Sequence, residues 1–150
     1  GGLKVGALVA VNALGDVYGP DGKQIAGLLN EGWTGLSSTL EELFRDVTLA
    51  ENLFAGNTTL GVVVTNAKLD KTRLTKVAGM THNGYARAIR PVHTTADGDS
   101  IYALSLGDFP GDVNVVGAMA AQAMERAIVR AVQSSDSAYG LLGWRELSKN

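Results

Sequence analysis

No cysteine occurs among the 150 residues, which excludes disulfides, thiolate metal sites and a cysteine nucleophile. Long apolar runs are missing too. The longest, such as Ala7 to Val11 and Leu60 to Val64, fall far short of the ~20 residues needed to cross a bilayer, so no membrane partner is expected. Neither sign of charge dominates: 13 Lys and Arg against 15 Asp and Glu leave a net charge of −2. The basic residues are scattered rather than gathered in a stripe, which speaks against nucleic acid as a partner. No Gly-x-Ser-x-Gly elbow is present, and Gly15, Gly19 and Gly22 do not form a phosphate-cradling pattern after a strand. His82 and His93 lack the spacing of a metal set and are expected to be structural. No metal or organic cofactor is therefore expected.

What is present is enough apolar residue, 45% of the chain against 19% charged, to bury the core of one domain or of part of one. The opening Gly1-Gly2-Leu3-Lys4-Val5 has neither an initiator methionine nor the three regions of a signal peptide, and reads as the interior of a longer, cytoplasmic protein.

Leu3 to Leu14 is apolar on both alternating faces apart from Lys4 and Asn12, which suits a strand covered on two sides. Tyr18 to Gly35, rich in glycine, reads as irregular. Ser37 to Phe54 reads as a helix, with Ser38 and Glu41 as capping pair and Leu40, Leu43, Phe44, Val47 and Ala50 at helical spacing. The second half alternates: strand Thr58 to Thr65, helix Asp70 to Ile89, strand Ser100 to Gly107, helix Val113 to Gln133. Asp70 is a natural N-cap, and Leu74, Val77, Ala78, Tyr85 and Ile89 mark an apolar stripe interrupted by Gly84. In the last helix the stripe Val116, Ala120, Ala123, Met124, Ala127, Ile128 and Ala131 is mostly small, which permits close packing. The tail Leu141 to Trp144 is expected to dock on the body or on a neighbouring subunit. Strands apolar on both faces need covering layers, so the pattern fits either two stacked sheets flanked by helices or a doubly wound parallel sheet.

The chemistry concentrates at Gly56-Asn57-Thr58-Thr59, which runs into the apolar Leu60 to Val64. While the chain is intact, Thr58 is an ordinary strand threonine. If the Asn57–Thr58 bond is cut, its Oγ and a new α-amine share one residue, a nucleophile with its own base. Such an amine has a pKa near ~8, so a usable fraction is neutral and accepts the hydroxyl proton. From local sequence alone, Asn12 reads equally well as a turn asparagine. Asp97-Gly98-Asp99 reads as a solvated turn, and its two carboxylates lack further oxygen ligands for a metal. Lys71, Arg73, Lys76, Arg87 and Arg90 read as a solvated helix face.

Gly56 to Ala67, His93 to Ser100 and Val9 to Ala13 together resemble the P1 family of peptidases, the DmpA-type aminopeptidase family, and within it the threonine-nucleophile branch of the nylon-oligomer hydrolases. The resemblance implies an α/β fold, part of a four-layer αββα sandwich of the DmpA and ornithine acetyltransferase type. It also implies an inactive precursor that cleaves itself between Asn57 and Thr58. Residues 1–57 then end the large subunit and include the processing linker, and residues 58–150 form the small one. Thr58 resembles the family's nucleophile, Asn12 its oxyanion donor, and Asp97 and Asp99 its acidic pair. The implied activity is hydrolysis of amide bonds in peptides or peptide-like oligomers, with acyl transfer of the ornithine acetyltransferase type, or an inactive assembly module, as alternatives. The implied partners are a small peptide or amide-oligomer substrate, the upstream part of the precursor and further copies in a homo-oligomer, to which the exposed-looking Trp33, Phe109 and Trp144 are expected to contribute. Family members carry a lysine and further pocket residues well upstream of the asparagine. Lys4 stands too close to Asn12 to be that lysine, and the chain reads as roughly the last two-fifths of an enzyme.

Overall fold

The computed structural model describes residues 1–45 and 56–147. Its elements run β1 (Val5–Ala10), β2 (Asp16–Tyr18), β3 (Gln24–Ala26), α1 (Thr39–Arg45), β4 (Leu60–Ala67), α2 (Lys71–Ala88), β5 (Ile89–Arg90), β6 (Ser100–Phe109), α3 (Val113–Gln133) and α4 (Trp144–Leu147).

The main sheet has the order β1-β4-β6, with β1 antiparallel and β6 parallel to the central β4. Because side chains alternate along a strand, the matched register Ala7↔Val63↔Ala103 puts one set of apolar residues on one face, and Leu8↔Val62↔Tyr102 puts another on the opposite face. Both long helices cover the first face. Val77 and Tyr85 of α2 and Val116, Ala120, Met124 and Ile128 of α3 are fully buried in one cluster with Val63 and Ala67. The second face is bare among the described residues, leaving Leu8 74%, Tyr102 64% and Leu106 72% exposed. One helical layer on one sheet layer is thus in place, a partial α/β sandwich. The described residues do not form a doubly wound parallel sheet, since β1 runs antiparallel and both long helices lie on one face.

The helix boundaries follow their caps. Asp70 accepts from Arg73 N–H at 2.8 Å and Asp112 from Asn114 N–H at 2.8 Å and Val115 N–H at 3.2 Å, satisfying backbone donors that the first turn leaves free. Ser38 Oγ accepts from Glu41 N–H at 3.3 Å and opens α1 as expected. Within that helix Phe44 is exposed, and Val47 and Ala50 lie outside the described residues. Ala131, assigned to the buried stripe of α3, is exposed, while Gly117 and Ala121 are buried instead. Phe109 and Trp144 are half-buried rather than exposed, and only Trp33 of the three expected aromatics stands out at 60%. The tail forms α4 and lines a hollow with Ile25 and Trp33 through Leu142, Trp144 and Leu147.

The segment read as irregular holds a small second sheet, β3-β2-β5, antiparallel throughout. Asp16 anchors it. Fully buried, its carboxylate accepts from Leu28 N–H at 3.1 Å, Thr39 N–H at 2.8 Å and Thr39 Oγ at 2.6 Å, which ties the glycine-rich loop and the start of α1 to β2. Strands this short carry no alternation to read; they form because Asp16 and Val17 pair with Arg90 and Ile89, far along the chain.

Gly84, read as an interruption of the α2 stripe, is where α2 meets α3. A Cβ there would collide with the carbonyl oxygen of Ala121 and lie 2.9 Å from Met124 Cβ, and backbone cannot step aside as a side chain does. Gly79, five residues earlier on the same helix, is exposed with nothing within 4 Å of such a Cβ. In urea or thermal unfolding, Gly84→Ala is expected to destabilise by about 1–3 kcal/mol. Gly79→Ala is expected to stabilise by about 0.5–1 kcal/mol, through helix propensity alone.

Candidate active site

The candidate residues meet at one end of β4. The antiparallel ladder with β1 continues past the strand, so that Thr58 N–H donates to Asn12 O at 2.9 Å. On the other flank the parallel ladder with β6 continues backwards: Ser100 N–H donates to Thr59 O at 3.1 Å, Gly98 N–H to Asn57 O at 2.9 Å, and Asn57 bridges Asp97. Residues 12, 57–59 and 97–100, distant in sequence, become three adjacent lengths of backbone.

Thr58 is half-buried, and its Oγ donates to the carbonyl oxygen of Asn57 at 2.7 Å. That oxygen therefore receives two donors, the hydroxyl and the Gly98 N–H. Asn12 is exposed, and its carboxamide donates to Gly56 O at 3.0 Å, one residue upstream of the carbonyl that a nucleophilic Thr58 would attack. Gly98 has a steric reason to be glycine: a Cβ there would lie 2.5 Å from Thr58 Oγ. The turn composition of Asp97-Gly98-Asp99 signalled a bend; only pairing with residue 57 shows what the bend faces.

The two aspartates differ. Asp97 turns its carboxylate into its own loop, accepting from Thr94 N–H and Thr94 Oγ at 2.8 Å each, so it shapes the turn whose backbone meets Asn57. Asp99 points inward with its side chain 4% exposed, and its Oδ1 accepts from Thr59 N–H at 2.9 Å. Neither is the solvated turn residue that chemistry alone suggested. Among the described residues no three His, Asp or Glu side chains gather as a metal set.

Behind Asp99 lies an aromatic group that sequence reasoning assigned to structure only. His93 Nδ1 is 3.2 Å from Asp99 Oδ2, and its ring stacks on Tyr85 (centroids 5.9 Å apart) and meets His82 edge-on at 4.8 Å. The Tyr85 hydroxyl donates to Thr59 O at 3.2 Å and Ser100 O at 3.4 Å. No spacing rule could have found this group, because His82 and Tyr85 ride on α2 while His93 follows the β5 turn.

Beside Asn12, Ala13 and Leu14 begin the wall of an open cavity of about 920 Å³, completed by Leu28, Leu29, Asn30, Glu31, Trp33, Glu42 and others. The wall mixes apolar side chains with the carboxylates of Glu31 and Glu42.

Burial, with the neighbouring His93, holds the His82 pKa below its ordinary 6.5, only partly opposed by Asp99. Burial, with the Asp99 charge, pushes the Tyr85 hydroxyl well above its usual range. The lowered His82 value means that the fold favours the neutral ring. Its contribution to stability is full above pH 6.5 and is lost as the pH falls through the folded value. Melting temperature is therefore expected to fall on acidification from neutral pH, and His82→Gln is expected to flatten that slope.

Residues 1–145 match the family described as Peptidase family S58. An uncharacterized aminopeptidase of Mycobacterium leprae (strain TN) is 34% identical over 93% of this chain and 43% of its own length. One of Mycobacterium tuberculosis (strain ATCC 25618 / H37Rv) is 31% identical over 97% of this chain and 48% of its own. A 6-aminohexanoate-oligomer endohydrolase of Kocuria sp. (strain KY2) is 30% identical over 53% of this chain and 26% of its own. The chain spans about half the length of the curated aminopeptidases that it matches. With a family match over nearly its whole length, the chain belongs to peptidase family S58.

Proposed function

We propose that this chain is part of a self-processing amide hydrolase whose nucleophile is Thr58, released as an N-terminal residue by cleavage after Asn57. One observation carries the reading: the Thr58 hydroxyl lies against the Asn57 carbonyl, 2.7 Å from its oxygen, while the Gly98 N–H holds the same oxygen at 2.9 Å. A backbone donor aimed at a carbonyl oxygen stabilises the charge that develops there on attack.

In processing, Thr58 Oγ forms a bond to the Asn57 carbonyl carbon. The bond from that carbon to Thr58 N breaks, and the hydroxyl proton passes to the departing nitrogen. Water then hydrolyses the ester, leaving an Asn57 carboxylate, a free Oγ–H and a free α-amine. The geometry supplies proximity, since attacker and carbonyl belong to adjacent residues held by ladders on both flanks. In the mature site the α-amine takes the Oγ proton as the substrate carbonyl is attacked and returns it to the leaving amine. An acyl-enzyme ester on Thr58 follows and is hydrolysed. Asn12 then changes partner. Once residues 56 and 57 have moved off, its carboxamide is released from Gly56 O and serves the substrate oxyanion. Asp99, held on Thr59 N–H, sets the electrostatics beside the amine. Asp97 keeps the 97–99 turn in shape.

The relatives' names, aminopeptidase and 6-aminohexanoate-oligomer endohydrolase, support peptides or short amide oligomers as the substrate class, seated in the cavity beside Asn12. The bare apolar face of the main sheet supports packing against the upstream part of the same precursor, within a homo-oligomer of processed pairs.

Mass spectrometry of the complete precursor is expected to show two fragments, the smaller beginning at Thr58, and Thr58→Ala is expected to remain a single chain. A Thr58→Ala protein that still splits at this bond removes the nucleophile assignment. In the processed enzyme, Asn12→Ala is expected to lower kcat about 10²–10³-fold with little change in KM, as loss of one oxyanion donor does.

A further inference from the structure

We propose that His93 is a positioning residue of this site: packed against both His82 and Tyr85, it holds the buried Asp99 carboxylate in place against the backbone of Thr59, next to the proposed nucleophile. The inference deepens the reading of Thr58 above and concerns a residue that touches neither the hydroxyl nor the scissile carbonyl.

The chain of reasons begins with an incomplete carboxylate. Asp99 is almost wholly buried, and its Oδ1 is satisfied by Thr59 N–H at 2.9 Å. Its Oδ2 is equally inaccessible and makes no aligned hydrogen bond. A buried carboxylate oxygen without a donor is costly, so a donor close by is under pressure to serve it. His93 Nδ1, 3.2 Å away, lies within ion-pair distance though off the line of a hydrogen bond, and is the donor that a realigned ring or carboxylate would meet. The other ring nitrogen, Nε2, sits 3.4 Å from the His82 carbonyl oxygen. Acceptors thus lie at both ring nitrogens, and an N–H at Nδ1 is what the buried carboxylate oxygen calls for.

Rigidity is the second support. His93 takes a left-handed backbone with φ of 59°, a conformation uncommon outside glycine although histidine is among the residues enriched there. That backbone turns the imidazole back towards α2, where it stacks on Tyr85 at an interplanar angle of 21° and meets His82 at 71°. Tyr85 is itself fixed, fully buried with its hydroxyl on Thr59 O and Ser100 O. Asp99 and Tyr85 therefore grip the two sides of residue 59, N–H and C=O, and the His93 ring lies between them. The titratable groups facing the ring are Asp99 from the start of β6 and His82 and Tyr85 from α2.

Two measurements test this. In a Thr58→Ala precursor labelled with ¹⁵N-histidine, the ring nitrogen signals of His93 are expected to shift on Asp99→Asn; signals that stay put overturn the inference, whether or not Thr58 is the nucleophile. In the otherwise native precursor, His93→Ala is expected to slow cleavage at residues 57–58 about 10–100-fold, the scale of a misplacement near ~1 Å. His93→Asn is expected to recover most of that rate, because its carboxamide N–H replaces Nδ1–H and asparagine tolerates the left-handed backbone. Unchanged processing in His93→Ala, or equal slowing in Ala and Asn variants with equal loss of melting temperature, overturns the inference in favour of ring packing alone. Failure of the Thr58 reading would show separately, as cleavage that persists in Thr58→Ala.

Discussion

The central position of β4 governs the candidate site. A strand paired on both edges has its backbone committed along its whole length, and here the pairing runs beyond the strand's start, to Asn12 on one side and to Gly98 and Ser100 on the other. Two different ladders meet there, antiparallel to β1 and parallel to β6. The antiparallel partner brings the end of β1 to residue 58, and the parallel partner brings the beginning of β6 to the same level. A strand end, a turn and the Asn57–Thr58 peptide thereby converge without any of them being near the others in sequence.

That convergence depends in turn on the helical layer. α2 connects β4 to β6 and must lie flat on the sheet for the parallel pairing to hold; α3 must then pack tightly against it. The glycine contact at Gly84, the small residues of α3 and the buried Tyr85 make this possible, and Tyr85 carries the packing directly into the site through its bonds to Thr59 and Ser100. A single buried ring thus couples core and chemistry. The same coupling explains why His82 and His93, unremarkable in the sequence, lie behind the acidic turn: one rides on the helix that positions Tyr85, and the other follows the β5 turn back towards it.

The chain also shows a division between two kinds of surface. On its helical side the sheet is closed, with Val63, Ala67 and their partners fully buried. On the other side, among the described residues, leucines and a tyrosine face outward in register as an apolar surface. Asp16 and its three donors stabilise the small second sheet independently of that face, and so secure the cavity wall beside Asn12.

The sequence by itself determined the elements that local physics controls. The two long helices follow from apolar spacing, with Asp70 as the cap of the first, and the core strands follow from short apolar runs, because periodicity and capping act within a few residues. It also supplied the hydroxyl of Thr58 on which the proposed chemistry rests, since a hydroxyl beside a prospective α-amine is a feature of one residue and its own backbone. The tertiary structure alone decided the rest. The β3-β2-β5 sheet exists only through pairing that reaches from Asp16 to Arg90, the unlike roles of Asp97 and Asp99 depend on which way each carboxylate turns, and His93 gained its place from a backbone bend against a distant helix. Contacts of that kind depend on the closing of long loops, and nothing in a residue's immediate neighbours records where such a loop will close.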